Sequence, residues 1–194
     1  MSERQHTALE SYLDLLERWN KAYNLTAIRG RDQMVVRHLL DSLSIAPYIT
    51  GKRFIDVGTG AGLPGVPMAI MFPDREWHLL DSNGKKTRFL FQVKTALGLD
   101  NMVIHQARVE SFQGTLTYDA VISRAFASLQ DMVAGCQHLL NTAGCFLAMK
   151  GVYPAEELAM LPAQGASVKV HQLLVPGLDE ARHLVQIHPQ VVAS

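Results

Sequence analysis

The sequence predicts an α/β fold in which a mostly parallel, seven-stranded sheet carries helices on both faces. From residue 53 onward, short apolar runs alternate with segments of helical spacing, which is typical of a parallel sheet with crossover helices. The last two apolar runs are separated by a turn instead of a helix, which predicts a C-terminal antiparallel hairpin. A helical pattern precedes this region. We therefore expect a helical extension over residues 1–50 and one compact domain over residues 51–194.

The N-terminal extension is predicted from the spacing of its apolar residues. Leu9, Leu13 and Leu16 recur at intervals of three or four residues, which predicts an amphipathic helix from about residue 5 to 22. A second helical pattern follows Asp32. The extension should therefore consist of helices only.

The domain is predicted as five strand–helix units followed by the hairpin. The candidate strands are Arg53–Val57, Trp77–Asp81, Met102–His105, Ala120–Ser123 and Gly144–Met149. The helical segments that follow them are 63–71, 84–97, 108–112, 128–139 and 154–160. In the tail, Val168–Val175 and Arg182–Ile187 flank a turn at Pro176–Asp179. A parallel sheet that ends in such a hairpin resembles the Rossmann-like class I methyltransferase fold more than a dinucleotide-binding dehydrogenase fold.

Composition excludes several classes of protein. The 194 residues carry 18 basic and 18 acidic side chains, so the formal net charge is zero and no general positive field would hold a nucleic acid. The two cysteines, Cys136 and Cys145, lack metal-ligand spacing, and we expect no metal. Met1–Glu10 lacks the apolar core of a signal peptide, and no apolar run reaches the ~20 residues needed to cross a bilayer. We expect a cytoplasmic protein that does not bind membranes.

A glycine-rich turn of ten residues, from Asp56 to Gly65, follows the first predicted strand. Its glycines leave the backbone open to a ligand. The spacing of Gly60, Gly62 and Gly65 is by itself a weak signal, shared with nicotinamide and flavin proteins. Asp56 would repel a pyrophosphate, whereas it suits the ammonium and sulfonium groups of S-adenosyl-L-methionine. With Gly58, the alternating glycines match the turn typical of methyltransferases.

A second acidic residue, Asp81, ends the next predicted strand, where a carboxylate can accept hydrogen bonds from both hydroxyls of a ribose. Dehydrogenases use the same arrangement, so this feature does not discriminate between the two classes. The sequence predicts S-adenosyl-L-methionine as the methyl donor and S-adenosyl-L-homocysteine as the product. A purely structural turn and a dinucleotide oxidoreductase stay open as alternatives, although Asp56 and the terminal hairpin both oppose the oxidoreductase.

The choice of methyl acceptor is narrowed because the sequence lacks residues that some acceptors require. Cytosine C5 needs an attacking cysteine, but Cys136 lies in a predicted helix and Cys145 in an apolar strand. Exocyclic amines are typically methylated by enzymes with a diproline segment after the fourth strand, where this chain has Ser123–Phe126. A ring nitrogen such as guanine N7 already has a lone pair and needs only a positioned donor and cations. Arg124 and Lys150 are the candidate active-site cations.

Five segments carry a resemblance to a known family. They are Trp19–Thr26, Arg37–Ser42, the glycine turn with Leu63–Gly65, Ile122–Ala127 and Lys150–Gly151. In this order, over residues 9 to 189, they resemble the RsmG (GidB) family of bacterial ribosomal RNA methyltransferases. The resemblance implies methylation of guanine N7 in the decoding-region loop of 16S rRNA, within the small ribosomal subunit or its assembly intermediate. In that family, loss of the mark is associated with low-level streptomycin resistance.

The glycine turn and the resemblance together give a set of expected site residues. Those expected to bind the donor are Asp56, Gly58, Gly60, Gly62, Leu63, Asp81, Ser82, Val109, Glu110 and Arg124. Among them, Val109 and Glu110 would hold the adenine, and Arg124 would lie where the donor and the guanine meet. Lys150 would act beside Arg124 as a catalytic cation. The residues expected to contact RNA are Arg37, Lys85, Lys86 and Arg108.

For some residues of the expected site and its surroundings, a purely structural role is the alternative to a role in binding or catalysis. Arg124 could be an ion-pair partner of Asp119 or Asp56, Lys150 could simply end the fifth strand at the surface, and His38 could be a structural histidine. The neutral net charge also leaves a methyltransferase for another RNA, a protein or a small molecule, or a non-catalytic donor-binding module. We expect a monomer that binds naked loop RNA weakly and the ribonucleoprotein strongly.

Overall fold

The computed structural model describes residues 1–161 and 166–189; the last predicted residues of the domain, 190–194, lie outside them. Seven strands form one sheet: β1 (Arg53–Val57), β2 (Glu76–Asp81), β3 (Met102–Gln106), β4 (Tyr118–Ser123), β5 (Leu140–Lys150), β6 (Ala166–Leu173) and β7 (Arg182–Pro189). Their spatial order is β3-β2-β1-β4-β5-β7-β6. Strands β1 to β5 are parallel, and β7 is antiparallel to both β5 and β6. The predicted fold class is confirmed.

Helices precede the sheet and connect its strands: α1 (Glu3–Tyr23), α2 (Arg31–Met34), α3 (Asp41–Leu43), α4 (Gly65–Met71), α5 (Gly84–Leu97), α6 (Leu129–Cys136) and α7 (Ala155–Ala159). A π-helical segment, Val35–Leu40, joins α2 directly to α3. Single 3₁₀ turns occupy Ala46–Tyr48, Val109–Ser111 and Gln137–Leu139. The helix predicted over 108–112 is therefore only a 3₁₀ turn. Within 1–161 and 166–189, no helix is long and apolar enough to cross a membrane.

The first helix starts and ends at well-formed caps. The Ser2 hydroxyl accepts a hydrogen bond from the Gln5 backbone N–H at 3.2 Å, and the Gln5 side chain accepts one from the Ser2 N–H at 2.7 Å. The helix ends at Asn24, which has the left-handed conformation with φ 50°. In the middle of α1, the buried Tyr12 hydroxyl donates a hydrogen bond to the Ala61 carbonyl at 2.8 Å. The extension is thereby attached to the glycine turn.

The sheet separates two apolar layers. Alternate residues of β1 enter different layers, Phe54 on the side of α1, α4 and α5 and Ile55 on the side of α6, as the period of a strand requires. Leu13 and Leu16 of α1 are buried in the same layer as Phe54 and Trp77. The extension and the sheet therefore share one core layer, and the division at residue 50 stays a prediction.

A polar network crosses the strands on the α6 side of the sheet. His78 is buried; its Nε2–H donates to the Glu76 carboxylate at 2.8 Å, and its Nδ1 lies 2.8 Å from His105 Nε2 and 3.0 Å from the Tyr118 hydroxyl. Burial, and secondarily the charge of His78, lower the pKa of His105 to about 4. Burial also lowers the pKa of His78. Both imidazoles are therefore neutral near pH 7.

We expect this network to make folding stability fall in mild acid. The unfolded chain protonates His105 near pH 6.5 and the folded chain only near pH 4, so the stabilisation is complete above pH 6.5 and is lost towards pH 4. The loss is at most about 3 kcal/mol, and solvent screening of the half-buried imidazole reduces it. Melting temperatures measured from pH 7.5 to 4.5 should decline less steeply for His105→Gln than for the wild type. The exposed His6→Gln is the control, and parallel wild-type and His105→Gln curves would contradict the assignment.

Candidate active site

Three cavities lie side by side at the carboxyl ends of the parallel strands, where open α/β sheets bind their ligands. The β2 cavity, of about 310 Å³, is lined by Gly58, Asp81, Ser82, Val109 and Glu110, among others. The turn cavity, of about 200 Å³, is lined by Thr26, His38, Gly58, Gly60, Leu63 and Arg124, among others. The β7 cavity, of about 350 Å³, is lined by Arg37, His38, Asp41, Arg124, Lys150, Arg182 and His183, among others.

Shared walls make these cavities one continuous groove. Gly58 and Ala125 line both the β2 cavity and the turn cavity. His38 and Arg124 line both the turn cavity and the β7 cavity. An elongated ligand in the first two cavities would therefore have its end at Arg124, beside the third.

The glycine turn gives the groove its floor. Gly58 has φ +70°, and a Cβ built on it would lie 2.6 Å from the Ala125 Cβ, so no side chain fits between the turn and Ala125. Gly60 and Leu63 line the turn cavity. Gly62 faces inward, where a Cβ would overlap the Val66 side chain and lie 2.8 Å from Leu90 Cδ2. Its glycine is therefore needed for packing, which corrects the expectation that it contacts the donor.

Asp56 lies beneath the turn. Its Oδ2 accepts hydrogen bonds from the Thr59 hydroxyl at 2.6 Å and from the Gly65 N–H at 2.9 Å, and the residue is fully buried. Burial raises its pKa to about 6, against the opposing effects of these hydrogen bonds and of the Arg124 charge. The expected direct contact between Asp56 and the donor is corrected, since the carboxylate instead holds the two ends of the turn together.

Asp81, by contrast, faces the β2 cavity. Its Oδ2 accepts from the Gly60 N–H at 2.9 Å and its Oδ1 from the Asn83 N–H at 2.8 Å. Each oxygen keeps a further lone pair for a ligand hydroxyl. Lys86 lines the same cavity with its Nζ 3.6 Å from Asp81 Oδ2, whereas Lys85 is exposed. Lys86 therefore faces the predicted donor site, and its contact with RNA stays a prediction.

The adenine-binding residues expected after the third strand lie where the sequence indicates. Val109 and Glu110 belong to the 3₁₀ turn that follows β3, and both line the β2 cavity. Arg108 is exposed at the start of this turn and also lines that cavity. Phe126 closes the cavity from the other side. These side chains provide an apolar slot with a polar rim, which suits an adenine ring.

The β7 cavity contains a connected set of charged groups, which we call the Asp41 cluster: Arg37, Asp41, Arg124, Glu180 and Arg182. Asp41 is buried and accepts hydrogen bonds from Arg124 Nη1 at 2.9 Å and from Arg182 Nε at 3.0 Å. Glu180 accepts from Arg182 Nη2 at 3.1 Å and from both terminal nitrogens of Arg37 at 2.6 and 2.8 Å. Three guanidinium groups are thereby held at fixed positions by two carboxylates.

This cluster corrects the predicted partners of Arg124. Neither Asp119 nor Asp56 is hydrogen-bonded to it, within residues 1–161 and 166–189. Asp119 instead accepts from the backbone N–H groups of Lys52 and Arg53. The observed partner, Asp41, comes from the N-terminal extension. The extension therefore fixes the orientation of the residue at the junction of the turn and β7 cavities.

Lys150 ends β5, but its side chain does not extend into solvent. The side chain is only 14% exposed, and its Nζ lies 2.8 Å from Glu157 Oε2 and 3.3 Å from the Phe126 carbonyl oxygen. Glu157 comes from α7, so this helix fixes the ammonium group at the wall of the β7 cavity. The structural interpretation therefore places Lys150 correctly at the end of the fifth strand, but not at the surface.

His38 is a neutral part of the wall. Its Nδ1–H donates to the Arg37 carbonyl at 3.1 Å, and its Nε2 lies 2.9 Å from the Thr26 hydroxyl. Burial lowers its pKa. With both nitrogens engaged, His38 has no free lone pair for a substrate proton, which supports its structural interpretation. His38 lies in the π-helical segment, and π-helical turns are frequent at functional sites. Together with the start of α3, this segment places Arg37, His38 and Asp41 at one cavity.

Sequence reasoning missed three members of the Asp41 cluster: Asp41, Glu180 and Arg182. Asp41 lies in one of the segments that carry the family resemblance, but nothing in its spacing shows that it would contact Arg124, 83 residues later. Arg182 lies 141 residues from Asp41. Only the folded sheet, with β7 inserted between β5 and β6, brings the start of β7 to the extension.

Comparison with known proteins identifies the family. The chain matches the family described as "GidB: rRNA small subunit methyltransferase G" over residues 5–185. The chain belongs to this family. It is 57% identical over 187 residues to Ribosomal RNA small subunit methyltransferase G of Saccharophagus degradans, covering 96% of this chain and 84% of the relative. It is 54% identical over 193 residues to the protein of that name from Cellvibrio japonicus, covering 97% and 88%.

The fold comparison agrees with this family. A SAM-dependent methyltransferase from Aquifex aeolicus superposes with a TM-score of 0.62 at 13% identity, covering 80% of this chain and 93% of the other. As a member of the rRNA small subunit methyltransferase G family, the protein is a methyltransferase that acts on ribosomal RNA and uses S-adenosyl-L-methionine.

The groove fits this donor in shape and chemistry. An adenosine would fit the β2 cavity, where Asp81 would offer its free lone pairs to the ribose and Val109 and Glu110 would face the adenine. The methionine part would fit the turn cavity, along the backbone of the glycine turn. When bound, the donor supplies an electrophilic methyl group on a sulfonium. The chain itself has to orient that methyl group toward Arg124 and the β7 cavity.

We expect Gly58→Val to abolish donor binding. The added side chain would overlap Ala125 and push apart two residues that line both the β2 cavity and the turn cavity. Gly98→Val is a matched control: Gly98 has a similar φ of +61° but nothing within 4 Å of an added Cβ, so it reproduces the backbone strain without the obstruction. Titration calorimetry with S-adenosyl-L-homocysteine should show no binding for folded Gly58→Val and wild-type affinity for Gly98→Val. Near-normal affinity of Gly58→Val would contradict the placement.

Proposed function

We propose that this protein transfers the methyl group of S-adenosyl-L-methionine to N7 of a guanine in 16S rRNA, and that the β7 cavity receives this guanine. One observation carries the proposal: the cavity that continues the donor groove is lined by cations that the fold holds in place, Arg124 and Lys150. Asp41 is held by Arg124 and Arg182, and both nitrogens of His38 are engaged. Because N7 of guanine already carries a free lone pair, cations that position the guanine suffice and no base has to remove a proton from it.

Arg124 is proposed to orient the acceptor. It lines both the turn cavity and the β7 cavity, and Asp41 engages only its Nη1 within the described residues. Its other N–H groups are therefore free to donate to acceptors on the Hoogsteen edge of guanine, where O6 lies beside N7. Lys150, fixed by Glu157, is proposed to contact the same nucleotide from the opposite wall. The reaction then needs alignment and exclusion of water more than proton transfer.

The proposed setting is the small ribosomal subunit or its assembly intermediate, in the bacterial cytoplasm, with the protein acting as a monomer. The neutral net charge supports a folded particle as the substrate, because a protein without a general positive field gains little from phosphates alone.

The identity of the methylated atom is tested directly. Small subunits from a strain that lacks this enzyme, incubated with the protein and radiolabelled donor, should yield labelled N7-methylguanosine after digestion of the rRNA to nucleosides. Heat-inactivated protein is the control. Label in protein, in another nucleoside or in a small molecule would refute the guanine assignment.

The form of the substrate gives a second expectation. A short RNA hairpin with the target sequence should be methylated at least tenfold less efficiently than the intact subunit, because shape contributes much of the recognition. The two substrates are compared by kcat/KM under equal salt. Equal efficiency would show that the local sequence suffices.

We expect Arg124→Ala to lower turnover by roughly 100-fold, the scale of a misaligned reactive pair, without loss of fold. Arg31→Ala is the matched control, because Arg31 also forms ion pairs, with Asp14 and Glu17, but lies outside the three cavities. Single-turnover rates on small subunits give the comparison, and circular dichroism checks the fold. A folded Arg124→Ala protein with normal turnover would assign Arg124 to structure only.

A further inference from the structure

Three large apolar side chains are exposed at the mouth of the β7 cavity. Val152 is 78% exposed, Tyr153 55% and Leu174 87%. Their chain neighbours Gly151 and Leu173 line the cavity itself. Exposed apolar side chains that are grouped beside a binding cavity indicate an interaction surface.

The strand register explains why two distant segments meet here. Lys150, at the end of β5, pairs with His183 of β7, and His183 pairs with Gln172 near the end of β6. The residues that follow β5 and β6, which include Tyr153 and Leu174, therefore leave the sheet at the same edge. This edge carries the opening of the β7 cavity.

Tyr153 is held in place by the ring of His183. Its ring lies 5.7 Å from the ring of His183 at an interplanar angle of 82°, an edge-to-face arrangement. The His183 Nδ1–H donates to the Gly151 carbonyl at 2.8 Å, which fixes the imidazole. His183 in turn lines the β7 cavity. The tyrosine is thus supported at the cavity wall while more than half of its surface stays open.

We propose that Tyr153 stacks against the nucleobase next to the target guanine in the RNA chain. This inference rests on the proposed function of the β7 cavity. A guanine that enters a cavity must leave its neighbour, and the neighbouring base then exposes an aromatic face to water. Proteins that recognise single-stranded RNA typically cover such faces with tyrosine, phenylalanine or histidine rings.

The surroundings favour an RNA base over an apolar protein segment. Lys150 lies two residues before Val152, and Arg182 pairs across the sheet with Leu173, the neighbour of Leu174. Both cations line the cavity, as does Arg37. These cations match the phosphates on either side of the guanine, whereas an apolar peptide would gain nothing from them. Val152 and Leu174 enlarge the apolar rim on which the base edge would rest.

The first test measures how the enzyme recognises its substrate. Tyr153→Ala should raise KM for small subunits by about 5- to 100-fold, the range found for loss of one stacked base. Tyr153→Phe should stay within about twofold of wild type, because stacking needs the ring and not the hydroxyl. Phe91→Ala is the matched control, as Phe91 is 53% exposed on α5 and lines none of the three cavities. Affinity for S-adenosyl-L-homocysteine should be unchanged in every variant.

Any one of three kinetic outcomes would overturn the proposal. One is a KM for folded Tyr153→Ala within twofold of the wild type. Another is an equal loss in Tyr153→Phe and Tyr153→Ala, which would assign the effect to the hydroxyl. A fall in kcat of Tyr153→Ala with unchanged KM would also refute stacking in the bound state.

The second test identifies the contacted molecule. Full-length protein carrying the photoreactive analogue p-benzoylphenylalanine in place of Tyr153 is irradiated with small subunits. Cross-links to 16S rRNA at a nucleotide adjacent to the modified guanine support the proposal, and cross-links to a ribosomal protein or to distant rRNA overturn it. Failure of the guanine N7 assignment is recognised separately, by the nucleoside product of the wild-type enzyme, whatever residue 153 contacts.

Discussion

The buried carboxylate of Asp56 is the constraint on which the rest of the site depends. It accepts hydrogen bonds from Thr59, within the glycine turn, and from Gly65 at the end of the turn. The turn is also attached to β2, because Gly58 and Thr59 both donate to the Leu80 carbonyl and Gly60 donates to Asp81. An open, left-handed backbone of this kind is costly to hold without such partners. Asp56 therefore keeps the donor groove formed before a ligand arrives.

A second buried carboxylate performs the equivalent task for the acceptor side. Asp41 belongs to the extension and holds Arg124 from the end of β4 and Arg182 from the start of β7. Three parts of the chain that are distant in sequence thereby contribute to one cavity. Because α1 shares its apolar layer with the sheet and Tyr12 contacts the glycine turn, the extension is rigidly placed relative to the donor groove. Donor and acceptor are thus aligned by packing as well as by charge.

The sequence predicted the elements that local residue patterns determine. It did not predict the contacts between residues that are distant in the chain. Periodicity gave all seven strands and the hairpin, since half-buried strands must alternate and crossovers must be helical. The alternating glycines located the turn. They did not show that Asp56 is buried against Thr59, or that Gly62 packs inward against Val66 and Leu90, because these contacts depend on the folded chain. The Asp41–Arg124 pair carried no signal, because its 83-residue separation is bridged only by the tertiary fold. Roles in donor and RNA binding rested on chemistry and resemblance, not on spacing.

The pairing of charges in the acceptor cavity explains how a protein of zero net charge can act on RNA. Arg37, Arg124, Arg182 and Lys150 all reach this cavity, and each is already hydrogen-bonded to Asp41, Glu180 or Glu157. Their long side chains are ordered in advance, so little rotamer entropy is lost when a nucleotide binds. Partial neutralisation by the carboxylates also weakens attraction to unrelated phosphates at a distance. The cluster therefore favours a nucleotide that fills the cavity over RNA that merely approaches it, and shape becomes the main source of selectivity.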